Sequence, residues 1–148
     1  MSGSVILPIQ AILQYANPLL TPPWPDLLVD VDTRMIEAAY EDQLLERVDG
    51  TRFAAPLSNR DYPDGRNHAG RVAWLAINGW GEPISIEASD IERGHWPITD
   101  GNHRLAAAII LGEKEIKAEI GGFETDVIRH FGEYVARQIF DADAEMCL

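Results

Sequence analysis

The apolar positions of the chain switch repeatedly between a period of two and a period near 3.6, the marks of short strands and amphipathic helices. Val5-Ile6-Leu7-Pro8-Ile9 reads as a short strand, and Pro8 predicts an edge position or a strand end, because proline gives no N–H to a ladder. Pro18, Pro22, Pro23 and Pro25 make the stretch from Asn17 to Pro25 an extended loop. Asp32 or Thr33 is placed to cap a helix reaching about Val48, with Ile36, Tyr40, Leu44 and Val48 on one face and Asp49-Gly50 as its stop. Arg52 to Asn67 is polar and irregular, and a loop this long inside a compact domain is as a rule functional or mobile. Ala69 to Asn78 reads as a helix closed by Gly79, with Val72, Leu75 and Ala76 toward the core. Pro83 to Glu87 and Trp96 to Thr99 read as strands, Asn102 to Leu111 as an alanine-rich helix halted by Gly112, and Glu115 to Ile120 as another strand. Thr125 is placed to cap a last helix to about Phe140, burying Val127, Phe131, Val135 and Ile139, before an acidic tail from Asp141 to Glu145 that is expected to fray. Strands alternating with helices, with no internal repeat, predict one α/β or α+β domain spanning residues 1–148.

Length and charge narrow the classes. A chain of 148 residues can bury a core without staples. Twelve basic residues against 24 acidic ones give a net charge of −12, which disfavours a duplex DNA partner and leaves room for a small anion in a local basic pocket. Eight of the acids lie between Asp26 and Asp49, against Arg34 and Arg47. The helix predicted over 32–48 is therefore either a solvated acidic face or a surface for a protein partner. The single cysteine, Cys147, excludes an internal disulfide, and no cysteine and histidine cluster has zinc spacing. No apolar run approaches the ~20 residues that span a bilayer, and Met1-Ser2-Gly3-Ser4 is unlike a signal peptide. A soluble, cytoplasmic protein is expected.

The stretch richest in chemistry is Thr99-Asp100-Gly101-Asn102-His103-Arg104. A strand ends, a tight turn follows, and a helix begins at once. A helix N-terminus offers unpaired N–H groups and the positive end of the peptide dipole, a natural cradle for phosphate. His103 and Arg104 stand in the first turn, where a helix built for stability alone would carry acids, and Gly101 allows close approach of a ligand to the backbone. The same residues also fit a core helix capped by Asp100 or Asn102, with His103 and Arg104 merely exposed. His68 and Arg71, three residues apart, share a face if a helix covers both, and could add charge to a phosphate pocket. Asp100 could hold Mg²⁺ or act as a base, or only cap the turn, and Glu82 is another acid that could enter the cleft. Trp74, Trp80 and Trp96 read as core residues rather than base-stacking platforms, and no partner is evident for His95 or His130.

Asp100-Gly101-Asn102-His103-Arg104 followed by Leu105-Ala106-Ala107 resembles the signature of the ParB/sulfiredoxin-like superfamily, a Gly-x-His-Arg motif at a strand-to-helix turn. The order around it is similar too. Val5 to Ile12 is similar to the first strand and turn of that family, and Arg71 to Ile86 to its helix-Gly-x-x-x-Pro-Ile element. The likeness covers Arg71 to Ile120 well, Val5 to Asn17 loosely, and Pro18 to Gly70 not at all.

This resemblance implies a small mixed sheet flanked by helices. It also implies a nucleoside triphosphate, ATP or CTP, held by backbone N–H groups at Gly101 and Asn102 and by His103 and Arg104. Asn102 stands where sulfiredoxins carry their cysteine, which removes sulfinic-acid reduction from the options. A partition-type DNA clamp would need further domains after Ile120, for which this chain leaves little length. The leading expectation is Mg²⁺-dependent phosphoryl transfer or hydrolysis, with Asp100 and His103 as catalytic residues. The alternatives are a non-catalytic module that senses a nucleotide or phosphate, and a nuclease.

Overall fold

The computed structural model describes residues 3–21, 23–24, 31–41, 48–49, 52–53 and 65–146; among residues 48–49, 52–53 and 141–146 it describes the backbone alone. The chain divides into two compact units, one made of Met1–Ala16, Gly81–Asn102 and Glu113–Leu148, the other of Asn17–Trp80 and His103–Gly112.

The first unit is built on a four-stranded mixed sheet in the order β1 (Val5–Pro8), β6 (Glu115–Gly121), β4 (Ile84–Glu87), β5 (Ile98–Asp100). β1 runs antiparallel to β6, with Val5 opposite Ala118 and Pro8 opposite Glu115; β6 runs parallel to β4, and β4 antiparallel to β5. Pro8 thus sits on an edge strand, as its missing N–H requires. Strict alternation along β6 turns Ile116, Ala118 and Ile120 inward and leaves the residues between them exposed. Val5, Leu7, Ile84, Ile86 and Ile98 complete the buried face of the sheet residues. Each large aliphatic chain so buried contributes about 1.5–3 kcal/mol.

Short helices cover this unit. α1 (Ile9–Leu13) follows β1 directly, and α4 (Ala88–Glu92) follows β4. The single helix expected from Thr125 to Phe140 is instead two, α6 (Glu124–Phe131) and α7 (Glu133–Met146). Gly132 between them has φ +94°, a left-handed conformation that ends α6 by donating its N–H to Ile128 O at 2.9 Å. Thr125 lies inside α6, so it is not the cap. The backbone of α7 remains helical through Met146, where a frayed tail was expected from Asp141. Val127, Val135 and Ile139 are buried as the pattern requires.

The second unit is helical, with a two-stranded hairpin of β2 (Val48–Asp49) and β3 (Arg52–Phe53), in which Val48 pairs with Phe53. Val48 therefore does not belong to the preceding helix, and the polar stretch from Arg52 begins as a strand. The described part of that helix, α2, is Thr33–Glu41, while Leu44 lies outside the described residues. Asp32 is its cap, its Oδ1 accepting the Met35 N–H at 3.0 Å. The buried positions of α2 are Ile36 and Ala39, and Tyr40 is exposed. With Met35 also partly buried, the stripe is centred on the 35–36–39 side, and Tyr40 falls beyond its rim.

α3 (Arg66–Asn78) starts three residues earlier than the sequence pattern suggests, after Gly65, and ends where Gly79 N–H reaches Leu75 O at 2.7 Å. α5 (Asn102–Ile110) leaves β5 after one residue, Gly101. Its Ala106 and Ala107 belong to the core of this unit with Val31, Ile36, Ala39, Val72, Ala73 and Leu75. No helix among the described residues is long and apolar enough to cross a membrane.

Candidate functional site

Within the helical unit, α3 and α5 bring their first turns together. His68 lies in the first turn of α3 and His103 in the first turn of α5, and His68 Nδ1 is 2.8 Å from His103 Nε2, a hydrogen bond across 35 positions of sequence. The two rings are nearly coplanar, at 18°, with centroids 5.1 Å apart. Trp24, from the proline-rich loop, lies over both: its ring is 4.8 Å from His68 at 16° and 4.9 Å from His103 at 28°. One indole face thus covers a hydrogen-bonded imidazole pair.

The earlier start of α3 makes the His68 and Arg71 pairing real, since both are now helical and three residues apart. Burial pushes His68 down to about 4, and the nearby charge of Arg71 adds to that effect. His103 is lowered well below its ordinary value, first by burial, then by Arg71, His68 and Arg104. These effects place Arg71 near His68, and Arg71, His68 and Arg104 near His103.

The lowered proton affinities carry a stability consequence. Both histidines bind a proton more weakly in the folded chain than in the unfolded one, where 6.5 is ordinary. Below about pH 6.5 the unfolded chain therefore holds more protons, and stability rises with pH. The contribution is complete above that value and is lost as the pH falls toward about 4, where His68 titrates in the fold. Thermal melts between pH 7.5 and 5 are expected to show a falling melting temperature. In His68→Phe, which keeps an aromatic ring under Trp24, that fall is expected to be shallower.

The sheet unit holds the other predicted residues. Asp100 ends β5 opposite Ser85 and is exposed, and Glu82, also exposed, precedes β4 at the same end of the sheet. Gly101 is buried with φ +91°, and a Cβ there would lie 2.7 Å from Ile84 Cγ2. The glycine is demanded by the backbone and by Ile84. Asn102 has a committed side chain: its Oδ1 accepts the Trp96 indole N–H at 2.9 Å, and its Nδ2 donates to Ile98 O at 3.4 Å. Any part that Asn102 plays toward an anion falls to its backbone N–H. No group of three or more potential metal-ligating side chains occurs among the described residues.

A second polar cluster in the sheet unit escaped the sequence reading. His130 Nε2 meets Glu92 Oε1 at 2.7 Å, His130 Nδ1 meets the Tyr15 hydroxyl at 3.2 Å, and Arg129 Nη1 lies 2.6 Å from the same Glu92 oxygen. Hydrogen bonds from Arg129 and His130 hold the Glu92 carboxyl below its ordinary value. The cluster ties the end of α1 to α4 and α6. Its members lie up to 115 positions apart, so no local pattern signals it. Another such tie joins Ser89 Oγ, a donor, to Asp126 Oδ2 at 3.0 Å.

Comparison of the chain with protein families, with curated proteins and with solved structures returns no match.

Proposed function

We propose that this chain binds the phosphates of a nucleoside triphosphate at the first turn of α5, in the manner of the ParB/sulfiredoxin-like proteins that its Asp100-Gly101-Asn102-His103-Arg104 segment resembles. The observation that carries this reading is the gathering of His68, Arg71, His103 and Arg104 into one neighbourhood at the starts of two helices. Helix N-termini offer N–H donors and positive potential, and an arginine adds two parallel donors suited to a phosphate edge. His103 in its neutral form keeps proton-accepting capacity, and Asp100 offers an exposed carboxylate three residues upstream. Those are the side chains on which Mg²⁺-dependent transfer or hydrolysis of the terminal phosphate would draw.

Incubation of the full chain with each of ATP, CTP, GTP and UTP and Mg²⁺, followed by product analysis, tests the catalytic half. Release of the diphosphate, lost in His103→Ala and Asp100→Asn, is the expected result. Saturable binding without product would instead make the chain a nucleotide sensor. Cleavage of supercoiled plasmid that disappears in Arg104→Ala would make it a nuclease.

A further inference from the structure

The polar cluster of the sheet unit has the connectivity of a nucleophile, a base and an orienting acid. Tyr15 follows α1, its N–H bonded to Ile12 O at 2.9 Å. Glu92 ends α4, and His130 lies in the last turn of α6. His130 stands between the other two: its Nε2 is 2.7 Å from Glu92 Oε1, and its Nδ1 is 3.2 Å from the Tyr15 hydroxyl. Both distances are within the reach at which protons pass between such groups.

The direction of these hydrogen bonds follows from which groups can donate. Arg129 and His130 hold the Glu92 carboxyl below its ordinary value, so at neutral pH it is ionised and only accepts. The neutral imidazole therefore carries its hydrogen on Nε2, and Nδ1 is left to accept the Tyr15 hydrogen. A phenol whose hydrogen is committed to a base turns its remaining lone pair outward, the disposition of a nucleophile rather than of an acid. A proton passing to Nδ1 makes an imidazolium, and Glu92 stands where it stabilises that charge. Edge-on contacts with His130 (5.1 Å, 81°) and Phe131 (6.1 Å, 71°) fix the Tyr15 ring in this arrangement. Tyr15 is half-buried and the Glu92–His130 bond is exposed, so the cluster reaches the surface.

We propose that Tyr15 is a nucleophile that cleaves uncharged carboxylic esters, with His130 as its general base and Glu92 as the residue that positions His130. Tyr15 Oη attacks the carbonyl carbon while its hydrogen passes to His130 Nδ1. The bond from that carbon to the alkoxy oxygen breaks, and the leaving oxygen takes the proton from Nδ1. Water then attacks the Tyr15 acyl ester and gives a proton to Nδ1, and the departing phenol oxygen takes it back. The Glu92 carboxylate disfavours an anionic substrate, and the rings of Tyr15 and Phe131 suit an apolar acyl group.

The test mixes the full chain at pH 8 with 4-nitrophenyl acetate, then quenches with acid and maps the peptides. A burst of 4-nitrophenol, slower steady release and an acetyl group on Tyr15 are expected. Tyr134, which is 76% exposed, is the internal reference. A half-buried tyrosine held by a merely structural hydrogen bond reacts more slowly than an exposed one. Tyr15 is instead expected to react at least about tenfold faster than Tyr134, since a positioned base contributes about 10²–10⁴-fold. In Tyr15→Phe, which keeps the ring, the burst should vanish. In Glu92→Gln the amide can itself donate to Nε2 and no longer holds the hydrogen there, so acetylation of Tyr15 should fall by about tenfold or more. A Glu92 that only tied the elements together would move the rate the other way, because its loss would expose the phenol. Acetylation of Tyr134 ahead of Tyr15, steady release unchanged in Tyr15→Phe, an acetyl group that stays on Tyr15 without further release, or undiminished labelling of Tyr15 in Glu92→Gln overturns the proposal. Should a variant fail to fold, the order of Tyr15 and Tyr134 in the unmodified chain decides alone.

Discussion

Replacing Arg104 with alanine is expected to weaken nucleotide binding by roughly ten- to more than a hundredfold, since a charge-assisted hydrogen bond contributes about 1.5–3 kcal/mol. Arg104→Lys should fall between the two, because an ammonium keeps the charge and loses the planar fork that meets two phosphate oxygens at once. His103→Ala should cost less affinity than Arg104→Ala, as a neutral imidazole has one N–H to give. Stability should move little in Arg104→Ala. A cation in the first turn of α5 opposes the helix dipole, so its removal recovers a few tenths of a kcal/mol that offsets lost side-chain packing. Calorimetric titration beside a thermal melt separates the two effects. Unchanged affinity with a collapsed melting temperature would make Arg104 a structural residue.

The largest loss of stability is expected at Gly101. Its φ of +91° lies where L side chains are strained, at about 1–3 kcal/mol. A Cβ would also stand 2.7 Å from Ile84 Cγ2 and 3.1 Å from Ile84 Cα. The first of those contacts can be relieved by a side-chain shift, but the second is with the backbone of β4, paired on both edges in the sheet. Overpacking of this kind costs about 1–3 kcal/mol more. Gly101→Ala should therefore lose about 2–6 kcal/mol in urea denaturation. Gly79→Ala is the control: its φ is also positive, at +80°, yet nothing lies within 4 Å of the added carbon, so only the backbone share of the loss remains.

What the sequence made legible was local. The passage from β5 through Gly101 into α5 was readable because turn chemistry, a positive-φ residue and a helical period meet within a few positions. β6 was readable because it alternates without exception. Misreadings arose where tertiary partners decide. Val48 has the spacing of a helix face, but Phe53 pairs with it in a hairpin. Tyr40 follows Ile36 at helical spacing, yet α2 buries its other side, toward Ala39. The periodic apolar face from Val127 to Ile139 ran through Gly132 without marking the break between α6 and α7. α4 is one turn long and carries too few apolar positions to show a period.

At the site, the same division holds. His103 and Arg104 could be singled out from their place at a helix start, and His68 and Arg71 from their spacing. That His68 touches His103, and that Trp24 covers both, depends on the packing of three segments distant in sequence. Asn102 was legible as a residue of the turn, whereas the commitment of its side chain to Trp96 was not.

Phosphate binding at the first turn of α5 is tested by following backbone amide resonances of the full chain while inorganic tripolyphosphate, and then ATP, is added. Saturable shifts are expected, largest at the amides of Gly101, Asn102, His103 and Arg104, accompanied by the side-chain resonances of Arg104 and Arg71, and with the same pattern for both ligands. Shifts that centre elsewhere on the chain, or none at millimolar ligand, would contradict it.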